Sequence, residues 1–131
     1  MELDYSTKGE AIITMNRFIE DALEDFPEDE WVSALCPVRY HIFKVNANGK
    51  PLDTKRALLF HCFVANLIFI SKRARPNIQP VISYITTRVR EPDEDDWKKL
   101  RRLLQYLFGT MENIVIHLNA DDLNDVHWWV D

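Results

Sequence analysis

Polar and apolar positions alternate over residues 2–5, Glu10 to Thr14 holds the apolar run Ala11-Ile12-Ile13 and reads as a second short strand, and Ser6-Thr7-Lys8-Gly9 between them reads as a turn. That pattern predicts a short β-hairpin. The period then lengthens. Phe18, Ile19, Ala22 and Leu23 share one helical face, with Thr14 as a candidate N-cap and Pro27 as the stop, so a helix is predicted to about residue 25. Residues 27–51 hold three prolines, the acidic run Glu28-Asp29-Glu30 and the turn signal Asn48-Gly49, and read as irregular apart from a short extended segment at 40–45.

The longest apolar run follows. Between Ala57 and Ile70 only His61 and Asn66 are polar, and Asp53 stands where an N-cap is needed, so a helix through about Ser71 is predicted. A helix apolar on nearly all sides belongs at the centre of a core. Pro76 begins the next element. Ile78, Val81, Ile82, Ile85 and Val89 form one stripe of a helix over 77–90, with Pro80 tolerable in its first turn and Pro92 ending it. Asp93 is predicted to cap a third long helix, with acidic residues at 94–96 suiting its positive end. Its buried face is Trp97, Leu100, Leu103, Leu104 and Leu107, and its polar face is Lys98, Arg101, Arg102 and Gln105. Glu94–Lys98 and Asp95–Lys99 are i,i+4 pairs, and Gly109 is the predicted C-terminal stop. Residues 114–118 and 126–130 read as two strands joined by a polar loop. The sum is an α+β chain, mainly helical, with three to four helices packed around the 57–70 helix and a short hairpin at each end.

Composition changes this picture little. The 131 residues suit one domain, and three glycines are too few for a turn-rich all-β fold or a glycine-rich phosphate loop. The start of the chain is polar and acidic, unlike a secretory signal. The 57–70 run falls short of the about 20 residues a bilayer span needs, so no membrane partner is expected. Two cysteines make no disulfide framework, Cys62 reads as a small buried hydrophobe, and an intracellular location, cytoplasmic or nuclear, is expected.

Charge distribution is more informative. The formal net charge is −5, yet residues 54–90 carry seven basic residues and no acidic one. A wholly basic segment in an acidic protein can present a local patch to a polyanion, or can simply be solvated helix ends. Its members are Lys55, Arg56, Lys72, Arg73, Arg75, Arg88 and Arg90, with Lys98, Arg101 and Arg102 as possible neighbours. Lys72, Arg73 and Arg75 sit at a helix–helix junction, a rigid mount suited to phosphate. For Arg75 a second reading stands beside this one: it can bond carbonyls at the helix end.

No catalytic set is complete. Cys36, His41, His61, Cys62, His117 and His127 show none of the short paired spacings of zinc sites. No serine stands in a glycine-flanked elbow, and Cys36 precedes Pro37 in a loop with no local feature that would activate a nucleophile. Asp131 ends an apolar strand, the usual mount for one carboxylate of a two-metal nuclease site, but one carboxylate does not hold two magnesium ions. A hydrolase built on Asp121, Asp122 and Asp131 is the remaining enzymatic alternative.

Several of these residues carry a resemblance. Ser71-Lys72-Arg73-Ala74-Arg75-Pro76-Asn77-Ile78, behind the apolar Asn66-Leu67-Ile68-Phe69-Ile70, resembles the "TRPDI" segment of copia-type retrotransposon reverse transcriptases. About thirty residues on, Tyr106-Leu107-Phe108-Gly109-Thr110 resembles the family's "YLxGT". Pro92 and the helix from Asp93 occupy the expected interval. Asp131, after Trp129-Val130, looks like the first acidic residue of the ribonuclease H domain. Leu3-Asp4-Tyr5-Ser6 and His41-Ile42-Phe43-Lys44-Val45-Asn46 resemble segments that follow the polymerase palm. Asn77 departs from the pattern, since the family usually has Asp there.

The resemblance covers essentially the whole chain. It implies a thumb and connection region: a thumb-like hairpin, helix and loop over 1–53, connection helices over 54–110, and over 111–131 a hairpin leading into a truncated ribonuclease H start. The polymerase aspartates would then lie before Met1 and the other ribonuclease H carboxylates after Asp131. A non-catalytic role is implied, gripping an RNA–DNA or DNA primer–template through backbone phosphates. Lys72, Arg73, Arg75, Arg88 and Arg90 are the expected contacts. Asp131 would be one member of an incomplete metal site, and no cofactor is expected in this chain, magnesium belonging to the full-length enzyme. The alternative is a degenerate or domesticated protein-interaction module that self-associates, or meets palm and ribonuclease H domains, without binding nucleic acid.

Overall fold

The computed structural model describes residues 1–27, 31–38, 42–112 and 114–119. The fold is α+β and mainly helical. Strands β1 (Glu2–Asp4) and β2 (Glu10–Thr14) are followed by helices α1 (Asn16–Glu24), α2 (Thr54–Arg73), α3 (Gln79–Thr87) and α4 (Glu94–Thr110), and then by strand β3 (Ile116–Asn119). A 3-10 turn, Pro76–Ile78, leads into α3.

β1 and β2 form the predicted antiparallel hairpin, with Leu3 opposite Ile13. The strand predicted at 114–118 is β3, and it pairs antiparallel with β2, Ile12 opposite His117. The N-terminal hairpin and the strand that follows α4 therefore share one three-stranded sheet in the order β1-β2-β3. The strand predicted at 126–130 lies outside the described residues. Of the segment predicted to be extended at 40–45, residues 42–45 form no strand and 40–41 are outside the described set.

The helices start and stop for local reasons, some different from those predicted. Thr14 remains in β2, where its hydroxyl donates to Glu2, and Met15 is the N-cap of α1. Met15 is buried, so its side chain serves the core rather than the cap. Asp53 is the N-cap of α2, by position and without a side-chain hydrogen bond. The helix predicted over 77–90 is tightened at its start into the 3-10 turn, and Pro80 sits in the first turn of α3, where its missing N–H costs nothing. Asp93 caps α4 as predicted, in a full capping box: its carboxylate accepts from the N–H groups of Asp95 and Asp96 at 2.8 Å each, and the Asp96 carboxylate accepts from the Asp93 N–H at 3.2 Å.

Gly109 does not stop α4, which runs on to Thr110. Its role is close approach. A Cβ there would lie 2.0 Å from the Ser33 hydroxyl and 3.0 Å from the Ser33 Cβ. Residues 31–38 lie across this side of α4, with the Ala34 N–H donating to the Gln105 carbonyl at 3.2 Å and Arg102 Nε donating to the Cys36 carbonyl at 3.1 Å. The predicted polar face of α4 is thus partly covered by this segment.

The core gathers Phe60, Phe63, Val64, Leu67 and Ile70 of α2 with Val81, Ile82 and Ile85 of α3, Leu100, Leu103, Leu104 and Leu107 of α4, and Ile19 and Leu23 of α1. Burying each large apolar side chain contributes about 1.5–3 kcal/mol. Phe26 closes one end, with its ring 5.0 Å from Trp97 and 5.1 Å from Phe63. By length and composition α2 could cross a membrane, but here it packs on the other three helices. It is not buried all round. Leu58, His61, Cys62, Ala65, Asn66 and Phe69 are exposed along one side, so the predicted burial of Cys62 is corrected. The partners α1, α3 and α4 cover only part of the circumference, and nothing among the described residues covers the rest.

Candidate nucleic-acid interface

The basic residues of 54–90 divide between the two ends of α3. Lys72 and Arg73 lie on the last turn of α2, both exposed. Cations suit a helix C-terminus, where the last carbonyls carry partial negative charge. Among the described residues neither is ion-paired. The Arg73 guanidinium lies 5.3 Å from the centroid of the Phe69 ring. Arg88 and Arg90 follow the other end of α3, so about 14 Å of helix rise separates them from the Lys72–Arg73 end. Lys55 is exposed on the first turn of α2.

Arg75 is at the junction but faces inward, only 1% exposed. Its Nε donates to Asn77 Oδ1 at 3.2 Å, its Nη1 to the Thr110 carbonyl at 3.4 Å, and its Nη2 to the Thr110 hydroxyl at 2.6 Å. The Tyr106 ring lies beneath it, 5.6 Å away. Burial pushes the Arg75 pKa down, and Tyr106 opposes that shift. A phosphate outside cannot reach this guanidinium, and the one carbonyl it bonds belongs to Thr110 at the end of α4 rather than to the end of α2.

Arg88 is also engaged. Its Nε is 2.9 Å from Asp96 Oδ2 and its Nη2 3.6 Å from Asp93 Oδ2, so it neutralises the capping box of α4. The hydrogen bond to Asp96 holds its pKa above the ordinary value. Lys99 shares Asp96 with Arg88 at 3.6 Å and also lies 3.1 Å from Asp95. The predicted Glu94–Lys98 pair gives way to Glu94 with Arg56, whose guanidinium also lies 4.6 Å from the Trp97 ring centroid. Of the five predicted contacts, Lys72, Arg73 and Arg90 are exposed; Arg75 and Arg88 are occupied by the fold.

Three residues not among the predicted contacts complete the junction: Asn77, Tyr106 and Thr110. Asn77 Nδ2 donates to the Tyr106 hydroxyl at 2.7 Å, and the Thr110 hydroxyl donates to the Tyr106 carbonyl at 2.7 Å. Their positions in the two quoted motifs were the available signal. Phe69 was also missed. Its spacing of three and four from Lys72 and Arg73 places it on their side of α2.

The metal candidates among the described residues do not converge. His61 and Cys62 are exposed neighbours on α2, Cys36 is exposed in the segment over α4, and His117 Nδ1 contacts the Glu10 carboxylate across β2 and β3. Among the described residues no three His, Cys, Asp or Glu side chains gather to hold a metal ion. His41, Asp121, Asp122, His127 and Asp131 lie outside the described residues. Compared with protein-family models, curated proteins and solved structures, the chain matches none.

Proposed function

We propose that this chain is a non-catalytic segment that grips a nucleic-acid primer–template through its backbone phosphates, the role implied by its resemblance to the thumb and connection region of a retroelement reverse transcriptase. The observation that carries the reading is the uncovered side of α2. Lys55 stands at one end of this 20-residue helix and Lys72 and Arg73 at the other, all exposed, none ion-paired among the described residues, in a stretch without a single acidic residue. Lys55 and Lys72 are about 25 Å apart along the helix. That length matches about seven phosphates of one strand at roughly 3.4 Å of rise each. Arg90 adds a cation at the far end of α3.

Fluorescence anisotropy of a labelled RNA–DNA hybrid tests it. Lys72→Glu/Arg73→Glu is expected to abolish binding. Lys8→Glu/Lys98→Glu makes the same change in net charge elsewhere and is expected to retain it. Equal loss in both double variants would contradict a localised grip.

A second reading has its own support. Leu58, 67% exposed, and Phe69, 44% exposed, stand with Cys62 and Ala65 on the same side of α2, beside a cleft of about 260 Å³ lined by His61, Val64, Ile68, Thr86 and Val89. An apolar stripe of this kind suits a protein partner or self-association. Size-exclusion chromatography across a concentration series separates the readings: a monomer at all concentrations counts against self-association.

A further inference from the structure

Phe69 is the aromatic of α2 that the core leaves out. Phe60 and Phe63 are 0% and 4% exposed, whereas Phe69 is 44% exposed on the penultimate turn. Its ring is nonetheless held. Phe18 of α1 abuts it at 5.6 Å with the planes tilted by 50°, and the Arg73 guanidinium lies 5.3 Å from its centroid. Lys72 is exposed alongside. A supported aromatic ring, a planar cation over it, a second cation beside it and no ion-paired carboxylate among the described residues make up the composition that binds unpaired nucleotides. Bases stack on aromatic rings and on guanidinium planes alike. Bases within a duplex have both faces already covered by their neighbours, so only an unpaired or terminal base can offer one.

We propose that the Phe69–Arg73 pair is a subsite for an unpaired nucleobase. This rests on the nucleic-acid reading above and adds to the phosphate grip a preference for single-stranded or frayed nucleic acid at the C-terminal end of α2.

The test is anisotropy of the full chain with three labelled probes: a single-stranded DNA of about 12 nucleotides, the same backbone with abasic positions, and a blunt RNA–DNA duplex. The wild-type protein is expected to bind the base-bearing strand about 5- to 150-fold more tightly than the abasic one, the range expected for stacking one base. Phe69→Leu, which keeps apolar bulk, and Arg73→Lys, which keeps the charge, should each bring the two strands close to equal affinity while binding persists. Equal wild-type affinity for the base-bearing and abasic strands overturns the subsite and leaves the phosphate grip standing. Binding to none of the three probes overturns both.

Discussion

Arg75 Nη2 donates a hydrogen bond of 2.6 Å to the Thr110 hydroxyl across 35 residues of sequence. The bond ties the junction after α2 to the last residue of α4. Arg75 is a buried cation whose described partners are all neutral: Asn77, the Thr110 hydroxyl and carbonyl, and the Tyr106 ring. Such a group persists only if its donors are satisfied, because an unsatisfied buried charge is far costlier than a neutral polar group. The Ser71–Ile78 and Tyr106–Thr110 segments therefore meet as one hydrogen-bonded unit, which fixes how α2, the 3-10 turn and α4 sit together.

Truncating either end of that bond should be costly and the costs should not add. Arg75→Met and Thr110→Val are each expected to lower stability by about 1.5–3 kcal/mol, the worth of hydrogen bonds to a charged group. In a urea-denaturation double-mutant cycle the double variant should lose less than the two single losses combined. Strict additivity would mean the contact contributes nothing.

Asn77→Asp should stabilise the protein, by about 1 kcal/mol, because a carboxylate replaces a neutral acceptor of the buried cation. The pH dependence follows from the sign of the shift. Arg75 would depress the folded pKa of the new carboxyl below its unfolded value of about 3.9. The gain is then present above that value and lost as pH falls through the lower folded one. Thermal melts of both proteins from pH 7 to pH 3 read this directly, and a gain that grew on acidification would contradict it.

Gly49→Ala should damage a helix that is distant in sequence. A Cβ at Gly49 would lie 2.3 Å from Asp93 Oδ2 and 2.7 Å from its Cγ. That carboxylate is fixed by the capping box, and the Lys50 carbonyl accepts from the Glu94 N–H at 2.9 Å on the same helix start. The expected loss is about 1 kcal/mol, close to that of Asp93→Ala, as for a lost N-cap. Combining the two should cost little more than either alone, and denaturation midpoints of the three variants check it.

The uncovered side of α2 predicts unequal tolerance along one helix. Phe60→Ala is expected to cost about 3–5 kcal/mol. Leu58→Gln and Cys62→Ser should each stay within about 0.5 kcal/mol. A large loss in Cys62→Ser would show that this side is covered after all.

The elements were readable where pattern and punctuation agreed. The hairpin of 2–5 with 10–14, the stripe of Trp97, Leu100, Leu103, Leu104 and Leu107, and Asp93 before three acids each appear in the fold as read. The circumference of α2 was not readable, because composition does not say how many neighbours a helix has. The polar residues within the 57–70 run, His61 and Asn66, did mark the exposed side. Gly109 misled because a glycine that permits close approach and one that ends a helix look the same in sequence. Arg75 left two readings open, and the choice depended on Thr110 and Tyr106, more than thirty residues away.

The most direct test of the phosphate grip is the salt dependence of hybrid affinity, measured for the wild-type chain and for Lys72→Glu/Arg73→Glu. The wild-type log–log slope should be negative, roughly −0.9 per phosphate contact. In the variant it should be shallower by about two contacts. A wild-type affinity indifferent to salt, or equal slopes in the two proteins, would contradict the account.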